Sequence, residues 1–357
     1  MSLGGNGPTA VRAVAPLRLS FAGGGTDVPP YPATHGGAVL SATISRSASA
    51  IASVRDDATW QVESLDLMAR ASYPAGAPLE FDGHLDLVKA VLRELDPDHG
   101  LDLLLATDSP PGSGLGSSSA LVVAMLVAAG AVAHARRSWA PAELAWRAWH
   151  VERVDLKIEG GMQDQFAAAY GGLNYIEFGA DDVEVRPLKL PAGVLEELES
   201  SLVLAWSGRG RTDAGILRRQ VDGVLGGSAS SLASLGAIRA LAETMRDALL
   251  AGDLGAFAEG LHTGWEHKRR LADGVATPWL DELYAAGRAA GAAGGKVLGA
   301  GGGGFLLFCC PPGRTDGVAA ALEAAGAPCS PVTFDPQGAR WAPDRAVRAG
   351  RASGRAG

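Results

Sequence analysis

One stretch constrains this chain more than any other: Pro110 to Ala120 reads PPGSGLGSSSA. It follows LDLLLATD, which alternates like a strand, and precedes LVVAMLVAAGAVAHA, an apolar run with the length of a buried helix. Flexible linkers have this composition, and so do loops that wrap an anion. A linker separates folded units, whereas this segment joins an apolar strand to an apolar helix within one unit. A helix N-terminus carries free N–H groups and partial positive charge. Capping would account for one serine. It leaves the three preceding glycines unexplained, while a phosphate cradle accounts for both. Pro111, Gly112, Ser113, Gly114, Leu115, Gly116, Ser117, Ser118 and Ser119 are therefore the candidate nucleotide-binding residues.

Glycine is 49 of 357 residues, about twice the ordinary ~7% share, and the excess is clustered. One further cluster, FAGGGTDVPPY from Phe21 to Tyr31, ends a strand that carries Arg18. Its glycines allow a ligand close to the backbone. Another, GKVLGAGGGGFLLF, contains Gly299, Gly301 and Gly304 at G-x-G-x-x-G spacing. A dinucleotide fingerprint needs a helix next, and FLLFCC reads as strand, so a Rossmann site is excluded. The P-loop pattern also fails around Lys296, because Ala290 and Val297 stand where glycine and Ser/Thr are required.

Composition sets the outer bounds. Apolar residues are 47% and charged residues 20%, enough for a substantial core in a chain long enough for two domains. A net charge of -8 without a long basic run argues against nucleic acid as a partner. The longest apolar run, Ala120 to Ala133, falls short of the ~20 residues of a membrane span, and the N-terminus lacks a signal-peptide core. Cys309, Cys310 and Cys329 show no metal spacing, which fits a reduced, cytoplasmic protein. The seven histidines form no metal pattern.

Along the chain, GGAVLSATISRSASAIASV reads as a hairpin or meander, HLDLVKAVLREL as a helix, and APAELAWRAWHVERVDL as another. GGMQDQFAAAYGG opens with a glycine turn and becomes a short helix. A domain junction is expected near residues 190–200, giving domains 1–195 and 196–338. The second begins with the strand SLVLAW and holds helices near 227–252, 254–271 and 277–291. Residues 339–357, basic and rich in Gly and Ala, are expected to form a flexible tail. Strands and helices mix without strict βαβ alternation, which predicts an α+β fold.

In order and character, PLRLSFAGGGTD, SPPGSGLGSSSA and KVLGAGGGGFLLF resemble the three motifs of the GHMP kinase superfamily of small-molecule kinases. FAGGGTDVPPY, HGGAVLSATI, GGMQDQFAAAYGGLNYIEF and the segment from WEHKRRLADG onward resemble its heptose 7-phosphate kinase and L-fucokinase-type branch. Where that branch often reads GGKQDQY, this chain has Met162 and Phe166. The resemblance implies an N-terminal domain similar to ribosomal protein S5 domain 2, a ferredoxin-like C-terminal domain, and a cleft between them. It implies ATP and Mg²⁺ as cofactors and a sugar or sugar-phosphate acceptor, for a monomer or homodimer. The implied reaction is phosphorylation of a heptose 7-phosphate at its anomeric hydroxyl. Another sugar-1-kinase, or a catalytically silent sugar sensor, are the alternatives.

The same resemblance assigns roles. Asp164 is the candidate base, Arg18 a stabiliser of the developing charge, and Ser118 with Glu152 the Mg²⁺ ligands. Gly24, Gly25, Thr26, Asp27, Gln163, Gly301, Gly302 and Gly303 are expected at the sugar, with Asp27 gripping hydroxyls. Arg211, and either Lys268 or Arg269, are the candidate cations for a phosphate already on the substrate.

Overall fold

The computed structural model describes residues 10–133, 138–210 and 215–344. The first half is built on strands β1 (Ala10–Ala22), β2 (Gly37–Val54), β3 (Thr59–Ser64), β4 (Ala69–Pro74), β5 (Leu101–Thr107), β6 (Leu173–Phe178) and β7 (Val183–Pro187). Helices α1 (Tyr31–His35), α2 (Asp86–Leu95), α3 (Ser117–Ala133), α4 (Pro141–Trp149) and α5 (Gln163–Tyr170) connect them. The second half contributes α6 (Val194–Ser201), β8 (Leu202–Trp206), α7 (Gly215–Leu225), α8 (Ala229–Ala251), α9 (Leu254–Lys268) and α10 (Pro278–Ala289). It ends with β9 (Gly294–Val297), β10 (Phe305–Cys309), α11 (Thr315–Ala324), β11 (Cys329–Pro331) and β12 (Arg340–Pro343).

Two sheets result. The first runs β12-β1-β2-β5-β3-β4, with β6 also on β2 and β7 on β6; the second runs β11-β8-β10-β9. All pairings are antiparallel except β3 with β5. This is the α+β architecture expected from the sequence.

The segment read as a hairpin is one 18-residue strand, β2. It stays extended because two partners share one of its edges: residues 37–42 pair with β6 and 48–54 with β5. Between them Ser45 donates to the Thr333 carbonyl and Thr43 receives the Asp335 amide. The opposite edge, on β1, carries register shifts between Pro16 and Leu17 and between Ser20 and Ala22.

A second correction concerns the end of the chain. Residues 340–343, expected in a flexible tail, form a strand whose Val11↔Pro343 register closes the edge of β1. Residues 345–357 lie outside the described residues.

The two halves share one hydrophobic core. Period-two alternation sends Leu202 and Leu204 of β8, with Phe305 and Leu307 of β10, toward the core of the first half. Val203, Ala205, Leu306 and Phe308 point to a separate cluster on the other face. Phe21, next to the end of β1, meets Phe257 of α9 edge-on at 5.2 Å. Helix α3 is buried nearly all round, which accounts for its lack of a polar face. Among the described residues, no single helix is long and apolar enough to cross a membrane.

Candidate active site

The three glycine clusters converge on a cavity of about 390 Å³. Gly112, Gly114 and Gly116 adopt φ of +71°, +84° and +75°, a region that costs any other L-residue about 1–2 kcal/mol. The loop is pressed against the third cluster. A Cβ on Gly114 would stand 2.6 Å from the Leu298 carbonyl oxygen, and one on Gly304 would stand 2.4 Å from that of Ser113. The Phe305 amide donates to Ser113 O at 2.9 Å. Helix α3 starts at Ser117, so the free N–H groups of its first turn face the same space.

Pro111, Gly112, Ser113, Gly114, Gly116, Ser117 and Ser118 line the cavity. Leu115 and Ser119 are buried behind it. Gly24, Gly25, Gln163, Lys268, Gly301 and Gly303 also line it, whereas Gly302 does not. Arg211 lies outside the described residues.

Arg18 and Asp164 form a tight pair. Arg18 Nε and Nη2 approach Asp164 Oδ1 at 2.8 and 2.6 Å, and Nη1 donates to the Gly114 carbonyl at 2.5 Å. Three of the five guanidinium N–H groups thus join Asp164 to the phosphate loop. Asp164 Oδ2 has no partner among the described residues and faces Gly116, whose Cβ would stand 3.4 Å away.

Glu152 arrives by a device that helical spacing does not show. After α4 the chain widens into a π-helical turn, His150–Asp155, closed by the Leu156 amide on Val151 O. Glu152 is fully buried there. Its Oε1 accepts from Ser118 Oγ at 3.2 Å, and its Oε2 from Ser119 Oγ at 2.6 Å and Gln165 Nε2 at 2.5 Å. Hard oxygen donors from one carboxylate and one hydroxyl, beside a phosphate loop, match what a magnesium ion takes from a protein. Gln165, unremarked in the sequence, holds Glu152 from the far side.

At the sugar end, Asp27 has a second, structural task, and the expectation for Thr26 requires correction. Asp27 is fully buried. Its carboxylate accepts from Gly25 N at 3.0 Å, Gln163 N at 3.1 Å and Gln163 Nε2 at 3.0 Å. It ties the start of α5 to the first cluster and also lines the cavity, its Oδ2 accepting only the Gln163 amide. Burial, with a contribution from the Asp164 charge, raises its pKa. The double glycine before Met162 exists partly for this contact, since a Cβ on Gly161 would fall 1.8 Å from Asp27 Oδ2. Thr26, by contrast, is internal: its hydroxyl donates to Gly23 O and accepts from Ala38 N.

Sequence reasoning missed other residues. Leu67, Leu87, Leu121 and Ile158 give the cavity an apolar wall, and Gln220 of α7 reaches it from the second half. They come from five separate segments, so no local motif marks them. Lys268 donates to the Gly299 carbonyl. Lys296, considered in the sequence only to reject a P-loop, is buried and bonded to the end of β1.

Comparison with known proteins matches residues 84–172 to the family described as GHMP kinases N terminal domain and residues 245–328 to GHMP kinases C terminal. The chain is 33% identical over 323 residues to a D-glycero-alpha-D-manno-heptose 7-phosphate kinase of Campylobacter jejuni, covering 87% of this chain and 93% of that one. It is 31% identical over 289 residues to a mevalonate kinase of Methanothermobacter thermautotrophicus, covering 79% and 86%. The crystal structure of a D-glycero-D-manno-heptose 1-phosphate kinase from Bacteroides thetaiotaomicron superposes with a TM-score of 0.77 at 34% identity, covering 93% of this chain and 98% of that one.

Proposed function

Because the chain belongs to the GHMP kinase family, as an ATP-dependent sugar kinase, we propose that it phosphorylates the anomeric hydroxyl of D-glycero-D-manno-heptose 7-phosphate. The observation that carries the chemistry is the Arg18–Asp164 pair beside the phosphate loop. The similarity to a heptose 7-phosphate kinase carries the choice of sugar.

In this reading the purine rests on the apolar wall of Leu67, Leu87, Leu121 and Ile158, and the phosphates lie along Gly112–Ser118. Arg18 fixes Asp164 Oδ1, leaving Oδ2 to accept the proton of the sugar hydroxyl. The hydroxyl oxygen attacks the γ-phosphorus, the bond to the β-phosphate oxygen breaks, and ADP leaves. Ser118 and Glu152 would hold Mg²⁺, which when bound neutralises charge on the nucleotide phosphates. Gln165 and Ser119 keep the Glu152 carboxylate turned toward Ser118. Lys268 at the cavity wall would meet the phosphate that the acceptor already carries.

The test is ADP release by purified protein with ATP·Mg²⁺ and a panel of heptose 7-phosphate, L-fucose, galactose and mevalonate. The expected result is the highest kcat/KM for heptose 7-phosphate, with the new phosphorus coupled to the anomeric proton in NMR. A higher kcat/KM for another compound, or coupling to another proton, would overturn the assignment.

A further inference from the structure

Lys296 is a buried amine that the reaction does not use. It lies on β9 of the second sheet and is 5% exposed. Its Nζ donates to the carbonyl oxygens of Ser20 at 2.7 Å and Phe21 at 2.9 Å, near the end of β1 in the first sheet. No carboxylate pairs with it among the described residues. A buried charge without a partner is costly, so such a residue needs an account.

Both ends of this bridge lead into the cavity. Two residues beyond Phe21 begins the turn Gly23–Asp27, held by Thr26 N on Gly23 O and by Gly25 N on Asp27 Oδ1. Just beyond Lys296, the chain enters the glycine loop that presses on Gly114. Ser20 points the same way as Arg18, two residues earlier on the strand, and both line the cavity. The Ser20 hydroxyl is buried without a partner among the described residues, and a Cβ on Gly24 would stand 3.1 Å from it. The wall that Lys296 fastens is therefore the one a sugar would touch.

We propose that Lys296 is a positioning residue, which sets the acceptor turn Gly23–Asp27 by tying the end of β1 to β9, and that it acts as a hydrogen-bond donor and not as a phosphate-binding cation. An uncharged amine retains two N–H groups, enough for two carbonyls. Burial, with the nearby charges of Lys268 and Arg18, pushes the Lys296 pKa well below the ordinary lysine value, in keeping with that role.

The inference rests on the sugar-kinase reading only for its kinetic arm, so one arm is independent of activity. In the ligand-free protein, Lys296→Met should speed hydrogen exchange of the Gly23–Asp27 amides at least fivefold relative to the Gly112–Ser118 amides. With the sugar that the wild type phosphorylates fastest, Lys296→Met should raise the acceptor KM at least tenfold. Its affinity for a fluorescent ATP analogue, measured without acceptor, should stay within twofold. Lys296→Gln, a shorter neutral donor able to keep one carbonyl, should fall between the two. If Lys296→Met does not fold, Lys296→Gln carries the test, with a threefold rise in acceptor KM as the threshold. Unchanged exchange or unchanged acceptor KM in folded variants would overturn the proposal. So would an equal loss of ATP affinity, which would make Lys296 a phosphate cation. Wild-type silence on every sugar would count against the substrate reading and leave the exchange result standing.

Discussion

Replacing Asp164 by Asn separates catalysis from folding at one position. The amide keeps an oxygen where Oδ1 now receives Arg18 Nε at 2.8 Å and Nη2 at 2.6 Å, so the pair can keep its geometry. It loses the negative charge and, at the other position, the ability to take a proton. A positioned base contributes roughly 10²–10⁴-fold, which at 1.36 kcal/mol per decade is about 3–5 kcal/mol of transition-state stabilisation. The folding cost is smaller. Breaking a fully buried ion pair costs about 3–5 kcal/mol. Here the Asp164 side chain is 24% exposed, and Arg18 keeps both the Gly114 carbonyl and an acceptor on Asn. About 1–2 kcal/mol remains. The assay pairs steady-state ADP release with urea unfolding and binding of a fluorescent ATP analogue. The expected outcome is a kcat at least a hundredfold lower, nucleotide affinity within threefold, and a modest drop in unfolding free energy. A folded variant with kcat within tenfold of wild type would show that Asp164 is not the base. Loss of nucleotide affinity equal to the loss in kcat would show that the pair serves the loop and not the chemistry.

Two further outcomes are expected. Gly114→Ala puts a Cβ into a φ of +84° and 2.6 Å from the Leu298 carbonyl. The left-handed backbone alone costs about 1–2 kcal/mol, and relief of the clash must separate the two glycine loops, so a fluorescent ATP analogue should bind at least tenfold more weakly. The second outcome concerns pH. Between the depressed pKa of Lys296 and its ordinary value of 10.5 the unfolded chain binds one more proton than the folded one, so this residue's contribution to stability rises with pH and is lost as pH falls. The difference in unfolding free energy between wild type and Lys296→Met should therefore shift in favour of wild type by up to about 1.4 kcal/mol from pH 9 to pH 10, measured by urea titration. A difference flat across that interval would show that the buried amine is charged.

The limits of sequence reading here follow from the range of the interactions. PPGSGLGSSSA was legible because the reason for its glycines is local: positive φ, a strand before and an apolar helix after. The α+β class was legible for the same kind of reason, in the change from alternation to helical spacing. Glu152 was reached only through family resemblance, because a π-helical turn adds one residue to a helical repeat and leaves the residue types unchanged. The single strand β2 was misread because its polar middle, Ser45 to Ser47, looks like a turn until Thr333, 288 residues after Ser45, supplies its hydrogen-bond partner.

Asp27 and Lys296 show how distance along the chain also decides a role. A carboxylate after three glycines has the composition of a sugar contact. What gives it a structural task as well is Gln163, whose amide and side chain meet it across a sequence separation of 136. Lys296, between a glycine pair and a glycine loop, has the composition of a phosphate contact. What removes it from the phosphates is a pair of carbonyls 276 and 275 positions away. In both cases the polar group nearest the motif in sequence is used to hold the cavity wall. On the cavity face Asp27 is joined by Ser20, Gln163 and Lys268, the last three each from a different element. If the chain acts on a sugar as proposed, substitutions that exchange one sugar for another should concentrate where β1, α5 and α9 line the cavity, more than in the three glycine motifs.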